Sequence, residues 1–150
     1  MSNKIAILLA TYNGEPHLVE QLQSIIYQTH TDWHLYIRDD GSTDATIDII
    51  RDYERKYDNI TVVDNLGEYT GSAAGNFFKL IHFSDFDGYD YISLSDQDDV
   101  WAPEKLRASL KSLQLNGASG YSSNMISYDN DTMRSNYIEK SQPQTDFDYM

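Results

Sequence analysis

Apolar residues in this chain come in short blocks whose spacing alternates between two periods. Lys4-Ile-Ala-Ile-Leu-Leu-Ala10 is almost continuously apolar, the pattern of a strand covered on both faces. It runs into Thr11-Tyr12-Asn13-Gly14-Glu15-Pro16, where Asn13-Gly14 is turn chemistry and Pro16 suits a first helical turn. Leu18, Leu22, Ile25 and Ile26 then recur at helical spacing and predict an amphipathic helix to about Gln28. The alternation from Trp33 to Arg38 predicts a second strand, ending at Asp39-Asp40-Gly41-Ser42-Thr43-Asp44, whose short polar residues turn the chain and start the next helix. That helix covers roughly Ala45 to Tyr57, with Ile47, Ile50 and Tyr57 inward.

The same grammar continues. Ile60 to Asp64 is a third strand, Asn65 to Gly71 a loop, and Ser72 to His82 a third helix. Tyr89 to Leu94 is a fourth strand, and the stripe Leu106, Leu110, Leu113 marks a helix from Pro103 to Leu115, closed by Asn116-Gly117. Tyr121 to Ser127 reads as a fifth strand; from Asp129 onward the chain is polar and acidic without periodicity. Five strands alternating with four helices imply right-handed crossovers and an α/β fold, a mostly parallel sheet with helices on both faces. The expected division is a domain over 1–127 followed by a polar, acidic tail over 128–150.

Composition narrows the function. At 150 residues the chain is one domain by length, large enough to bury a core without staples. With no cysteine, disulfides and Cys-ligated zinc are excluded. The apolar run at Ile5 to Ala10 is too short to span a bilayer and lacks a signal-peptide layout, so no transmembrane segment is expected. The formal net charge of −13 argues against nucleic acid and against electrostatic docking to anionic lipid, both of which need a basic face. His17, His30, His34 and His82 show no metal-like spacing.

The chemistry concentrates at strand ends. Ser95-Asp96-Gln97-Asp98-Asp99-Val100-Trp101 places three carboxylates within four residues after the fourth strand. Like charges that close raise one another's pKa. A hard divalent cation relieves the repulsion, and Mg²⁺ or Mn²⁺ needs only one or two carboxylates plus phosphate oxygens. The competing reading is a solvated acidic turn. In a parallel sheet, however, the ends carrying Thr11-Tyr12-Asn13, Asp39-Asp40 and Asp96 to Asp99 share one edge, where ligands of such sheets bind.

Ala10-Thr-Tyr-Asn13, Asp39-Asp-Gly-Ser-Thr-Asp44 and Asp96-Gln-Asp-Asp99, in this order and topology, resemble family 2 glycosyltransferases of the GT-A fold. Ser95-Asp-Gln-Asp-Asp-Val-Trp101 is similar to a bacterial subgroup of rhamnosyltransferases and polysaccharide-assembly enzymes. The resemblance implies a sugar moved from a nucleoside diphosphate, UDP or dTDP, to an acceptor hydroxyl with inversion, using Mn²⁺ or Mg²⁺. It implies that Thr11, Tyr12 and Asn13 line the nucleotide pocket, with Glu15 near the ribose or base. Asp39 would accept from the base imide N–H, since a carboxylate can only accept there, while Asp40 orients the turn or shares the site. Gly71 to Asn76 would cover the nucleotide, with Asn76 its polar contact. Asp96 and Gln97 would face the nucleotide, and Asp98 with Asp96 would hold the metal; Asp99 is a third carboxylate without an assigned role. Trp101 is open between stacking on a sugar and packing. The acceptor would be a saccharide or lipid-linked saccharide, in the cytoplasm or at the inner face of the membrane. The family's general base lies on a later segment, expected beyond Met150; Asp129, Asp131, Glu139, Asp146 and Asp148 fit no family pattern. Two other readings stand beside this one. Asp96-Gln97-Asp98-Asp99-Val100 fits the DxDx[TV] pattern of haloacid-dehalogenase-type phosphoryl transfer, and the same fold can be a non-catalytic nucleotide-binding domain.

Overall fold

The computed structural model describes residues 3–129 and 132–139, and the chain divides into two compact units, Met1–Leu106 and Arg107–Met150. In the first, β1 (Ile5–Thr11), β2 (Trp33–Asp39), β3 (Ile60–Val62) and β4 (Tyr91–Ser95) form one sheet in the order β3-β2-β1-β4. All three pairings are parallel. All seven residues of β1 are buried, as its unbroken apolar run requires of a central strand. Between the strands lie α1 (Leu18–Ile26), α2 (Thr46–Lys56) and α3 (Ala73–Phe83).

The chain steps outward from β1 through β2 to β3 and then crosses back to β4 on the other side of β1. The gap between the carboxyl ends of β1 and β4 is therefore a topological switch point, where an open α/β sheet offers a crevice. Reversing the direction of travel under right-handed crossovers also sends α3 to the face opposite α1 and α2. There Leu80 of α3 packs on Leu8 and Ala10, flanked by Tyr36, Val63, Phe77 and Phe86. Full burial of Leu8 and Leu80 stabilises by about 1.5–3 kcal/mol each and fixes α3 against the carboxyl ends of β1 and β2. Ser72 caps α3 by accepting from the Gly75 N–H at 3.1 Å.

α4 (Lys105–Asn116) starts at the end of the first unit and continues into the second. The fifth strand departs from expectation. It is β5 (Met125–Asp129), and it pairs antiparallel with β6 (Arg134–Ile138) as a separate two-stranded ribbon rather than extending the parallel sheet. Both ribbon strands are exposed at every residue. Neither face is selected for apolar side chains, and the stretch past Asp129 accordingly carries no readable period.

Candidate functional site

The three strand ends are knitted together mostly by backbone N–H groups donating to short polar side chains. After β1, Asn13 adopts φ +47°, a left-handed conformation that asparagine tolerates. Its N–H donates to Ser42 Oγ at 2.8 Å, and its side-chain oxygen accepts from the Thr43 N–H at 2.8 Å. Gly14 N–H donates to Thr46 Oγ1 at 2.8 Å and Glu15 N–H to Asp44 at 3.2 Å, while the Glu15 carboxylate accepts from the Ala45 N–H at 3.1 Å. Asp44 also accepts from the Thr46 N–H at the start of α2. A bond from the Thr46 side chain leads the causes that hold the Asp44 carboxyl below the usual range, ahead of those from the Thr46 and Glu15 N–H groups. Asn13, Glu15 and Asp44 thus clasp the β1–α1 loop to the start of α2.

Adjacent aspartates after β2 face different surroundings. Asp39 accepts from Thr11 Oγ1 at 3.1 Å, Ser42 Oγ at 2.5 Å, and the N–H groups of Gly41 and Ser42 at 2.9 and 2.8 Å. It shapes the turn. Asp40 accepts from Arg38 Nη1 at 3.0 Å and from the Thr70 N–H, Thr70 Oγ1 and Gly71 N–H, each at 2.8 Å. Burial pushes the Asp40 carboxyl up, but the bonds from Thr70, Arg38 and Gly71 outweigh it and hold it below the usual carboxylate range. Arg38 is fully buried; Nη1 also donates to Asn76 Oδ1 at 2.8 Å and Nη2 to the Glu68 carbonyl at 2.5 Å. The Asn76 amide nitrogen in turn donates to the carbonyls of Arg38 and Thr11. One network therefore joins β1, β2, α3 and the loop between β3 and α3.

A cavity of about 600 Å³ opens on this network, within the size range of small-molecule sites. From the end of β1 and its junction come Thr11 and Tyr12, from the β2 junction Asp40 and Gly41, from the loop and start of α3 Tyr69, Gly71, Ser72 and Asn76, and from the β4 junction Asp96, Gln97 and Asp98. Thr11, Tyr12, Asp40, Gly71, Asn76, Asp96, Gln97 and Asp98 were all marked by the sequence and all meet here. Asn13, Glu15 and Asp39 do not line this cavity; their side chains are spent on the clasp and the turn. Tyr69 and Arg38 carried no motif. Only the position of Arg38 one residue before the aspartate pair marked it.

The β4 junction carries the electrostatic tension that the sequence implied. Burial first, then the charges of Asp99 and Asp98, raise the Asp96 carboxyl. Among the described residues no three His, Asp or Glu side chains are grouped to hold a metal by themselves. Two carboxylates facing one cavity and crowding each other suit a hard cation whose remaining ligands come from phosphate and water. Gln97 does a different job. Its Oε1 accepts from the Tyr12 N–H at 2.9 Å and its Nε2 donates to the Tyr12 carbonyl at 3.0 Å. Gly14 makes room for this clamp, since a Cβ there would lie 2.5 Å from Gln97 Oε1. Gln97→Ala is expected to cost about 1 kcal/mol for the lost pair of bonds, measured by urea denaturation, and to loosen Tyr12 at the cavity. Trp101 is buried, its backbone N–H donating to Ser24 Oγ at 3.0 Å, with Lys105 5.0 Å above its ring; it packs.

Comparison with known proteins identifies a family for the sequence and a fold for the structure. The sequence model described as Glycosyl transferase family 2 matches residues 6–148. The dTDP-rhamnosyl transferase RfbG of Shigella flexneri is 42% identical over 142 residues, covering 94% of this chain and 48% of that protein. The putative glycosyltransferase EpsE of Bacillus subtilis is 31% identical over 112 residues, covering 74% of this chain and 38% of its own. This chain thus spans about half, or less, of the length of these relatives. Among solved structures, S. aureus TarS 1-349 superposes with a TM-score of 0.65 at 23% identity, over 76% of this chain and 33% of that one. The mannosyltransferase PcManGT from Pyrobaculum calidifontis, in complex with GDP-Man and Mn²⁺, gives 0.61 at 24% identity, over 73% and 32%. Both likenesses concern the fold.

Proposed function

Since the chain belongs to glycosyl transferase family 2, we propose that its cavity holds the nucleoside diphosphate of a sugar donor, UDP- or dTDP-linked, for transfer with inversion to an acceptor hydroxyl in cell-surface polysaccharide synthesis. The carrying observation is the meeting of Thr11 and Tyr12, Asp40, and Asp96 with Asp98 around one cavity although they come from three separate βα junctions. The name of the 42%-identical relative supports a thymidine donor and a deoxy sugar such as rhamnose. Membership of this family removes the support for phosphoryl transfer through Asp96.

In this reading Tyr12 and Thr11 form the wall against base and ribose, held by the Gln97 clamp. The geometry favours Asp40 over Asp39 as acceptor for an imide N–H, because Asp40 faces the cavity. All of its acceptor positions are engaged, yet one is exchangeable. Thr70 Oγ1 lies 2.8 Å from Asp40 Oδ2 and 3.0 Å from the Ser72 carbonyl, and its one proton can turn to the latter. That frees a lone pair of Asp40 without moving any backbone. Asp98, with Asp96, would hold Mn²⁺ or Mg²⁺, which supplies charge stabilisation for the departing diphosphate. A chain of net charge −13 needs such a counter-ion to admit a diphosphate.

The general base is assigned to no residue here. Asp129 and Glu139 lie on or beside the β5–β6 ribbon, and Asp131, Asp146 and Asp148 lie outside the described residues. We place the donor half of the reaction in 1–127 and the acceptor half, with the base, in residues that follow. No helix among the described residues is long and apolar enough to cross a membrane, and the proposed setting is cytoplasmic, with acceptors at the inner membrane face. The test is an assay of nucleoside diphosphate release from dTDP- and UDP-sugars by the whole protein with a saccharide or lipid-linked acceptor and Mn²⁺. Acceptor-dependent release is expected; none from any donor would contradict the reading.

A further inference from the structure

The cavity has a second exposed aromatic wall that no sequence motif announces. Tyr69 stands on the loop between β3 and α3, lines the cavity, and is 65% exposed; Tyr12, from the β1 junction, lines the same cavity at 57%. Among the described residues neither ring is paired with another aromatic side chain. A large ring left in water beside a cavity forgoes the burial that usually rewards an aromatic side chain.

Tyr69 is nonetheless not a loose side chain. The two residues after it are tied to Asp40 by three bonds of 2.8 Å, and the Glu68 carbonyl before it accepts from Arg38. Its ring lies against the backbone of Gly41, where a Cβ would come within 2.6 Å of two ring carbons. Gly41 is at φ +90°, a conformation glycine adopts without strain, and its bare Cα is what the ring rests on. The loop is thus fastened on both sides of Tyr69, and the ring is seated at the cavity with its surface unused.

Resting on the donor-site reading above, we propose that Tyr69 is a base-stacking residue: the pyrimidine of the donor lies against its ring, with Asp40 beside it. Tyr69 touches ligand without touching the reacting atoms, so it sets base affinity and leaves diphosphate binding to the β4 junction. Because its contact is a face and not a hydrogen bond, it favours any planar base, and the choice among bases falls to the Asp40 carboxylate.

The probes are dTDP, UDP and inorganic pyrophosphate, each titrated calorimetrically in Mn²⁺ into the wild type and the variants Tyr69→Ala, Tyr69→Phe and Tyr69→Trp. Truncating one aromatic stacking partner weakens binding about five- to 150-fold. Tyr69→Ala is expected to lose that much for dTDP and UDP and to bind pyrophosphate like the wild type, while the Phe and Trp variants keep nucleotide affinity. Nucleotide affinity unchanged in Tyr69→Ala, or pyrophosphate affinity falling in parallel, would overturn the stacking role while leaving the donor site in place. A wild type that binds pyrophosphate but neither nucleotide would instead overturn the donor-site reading, and this inference with it.

Discussion

Methionine in place of Arg38 is expected to destabilise the protein by about 3–5 kcal/mol, the usual cost of leaving a buried charge without its partner. That is a large part of a typical stability of about 5–15 kcal/mol. Arg38 and Asp40 are both buried, and the guanidinium also supports Asn76 and the Glu68 carbonyl. The pair is not an efficient way to gain stability. Arg38 Nε is buried with no hydrogen-bond partner, and a well-packed apolar pair would do as well or better. What the pair does give is a fixed, ionised Asp40 at the cavity. A cycle of Arg38→Met, Asp40→Asn and the double variant, measured by urea denaturation, should return strong coupling, with the double variant more stable than the sum of the singles implies. Additive losses would mean that Asp40 does not depend on Arg38.

The same pair sets an acid response. Asp40 has a folded pKa below its unfolded value, so the stability it contributes is present above the ordinary carboxylate pKa of about 3.9 and is lost as pH falls through the lower, folded value. Removing Arg38 takes away one of the bonds that lower it, and acid unfolding of Arg38→Met should begin at higher pH. An acid midpoint that does not move would contradict the bonding described for Asp40.

The second large effect is at Asp98. Outer-shell partners of metal ligands typically cost about 10–100-fold in metal affinity when removed, and losing a ligand should cost at least as much. Asp98→Ala is therefore expected to bind dTDP or UDP in Mn²⁺ only as well as the wild type does in EDTA. Because Asp98 is exposed and crowds Asp96, the substitution should leave the fold intact. A variant that keeps metal-enhanced binding would move the cation site away from the β4 junction.

Most of this arrangement could be read from residues alone, and the rest was hidden for definite reasons. The unbroken run Ile5 to Ala10 announced a central strand, and polar residues at three strand ends, acidic at two of them, announced a shared rim. Which of Asp39 and Asp40 faces the rim was also latent in the chain. Asp40 continues the parity of Tyr36 and Arg38, and Tyr36 packs with Leu80 on the α3 face, the side to which the reversed crossover sends α3. Period-2 reasoning stops at a strand's end, and the turn chemistry of Asp39-Asp40-Gly41 drew attention to the first aspartate instead. Tyr69 had no signal, because its position comes from two anchoring neighbours and a glycine almost thirty residues earlier. β6 and its antiparallel pairing with β5 were illegible because exposure on both faces erases alternation.

The most direct test of the converging-junction account is a calorimetric titration of dTDP and UDP into the wild-type protein, once in Mn²⁺ and once in EDTA. One saturable site whose affinity drops at least tenfold without metal is the predicted result. Binding of equal strength in EDTA, or no binding in Mn²⁺, would contradict it.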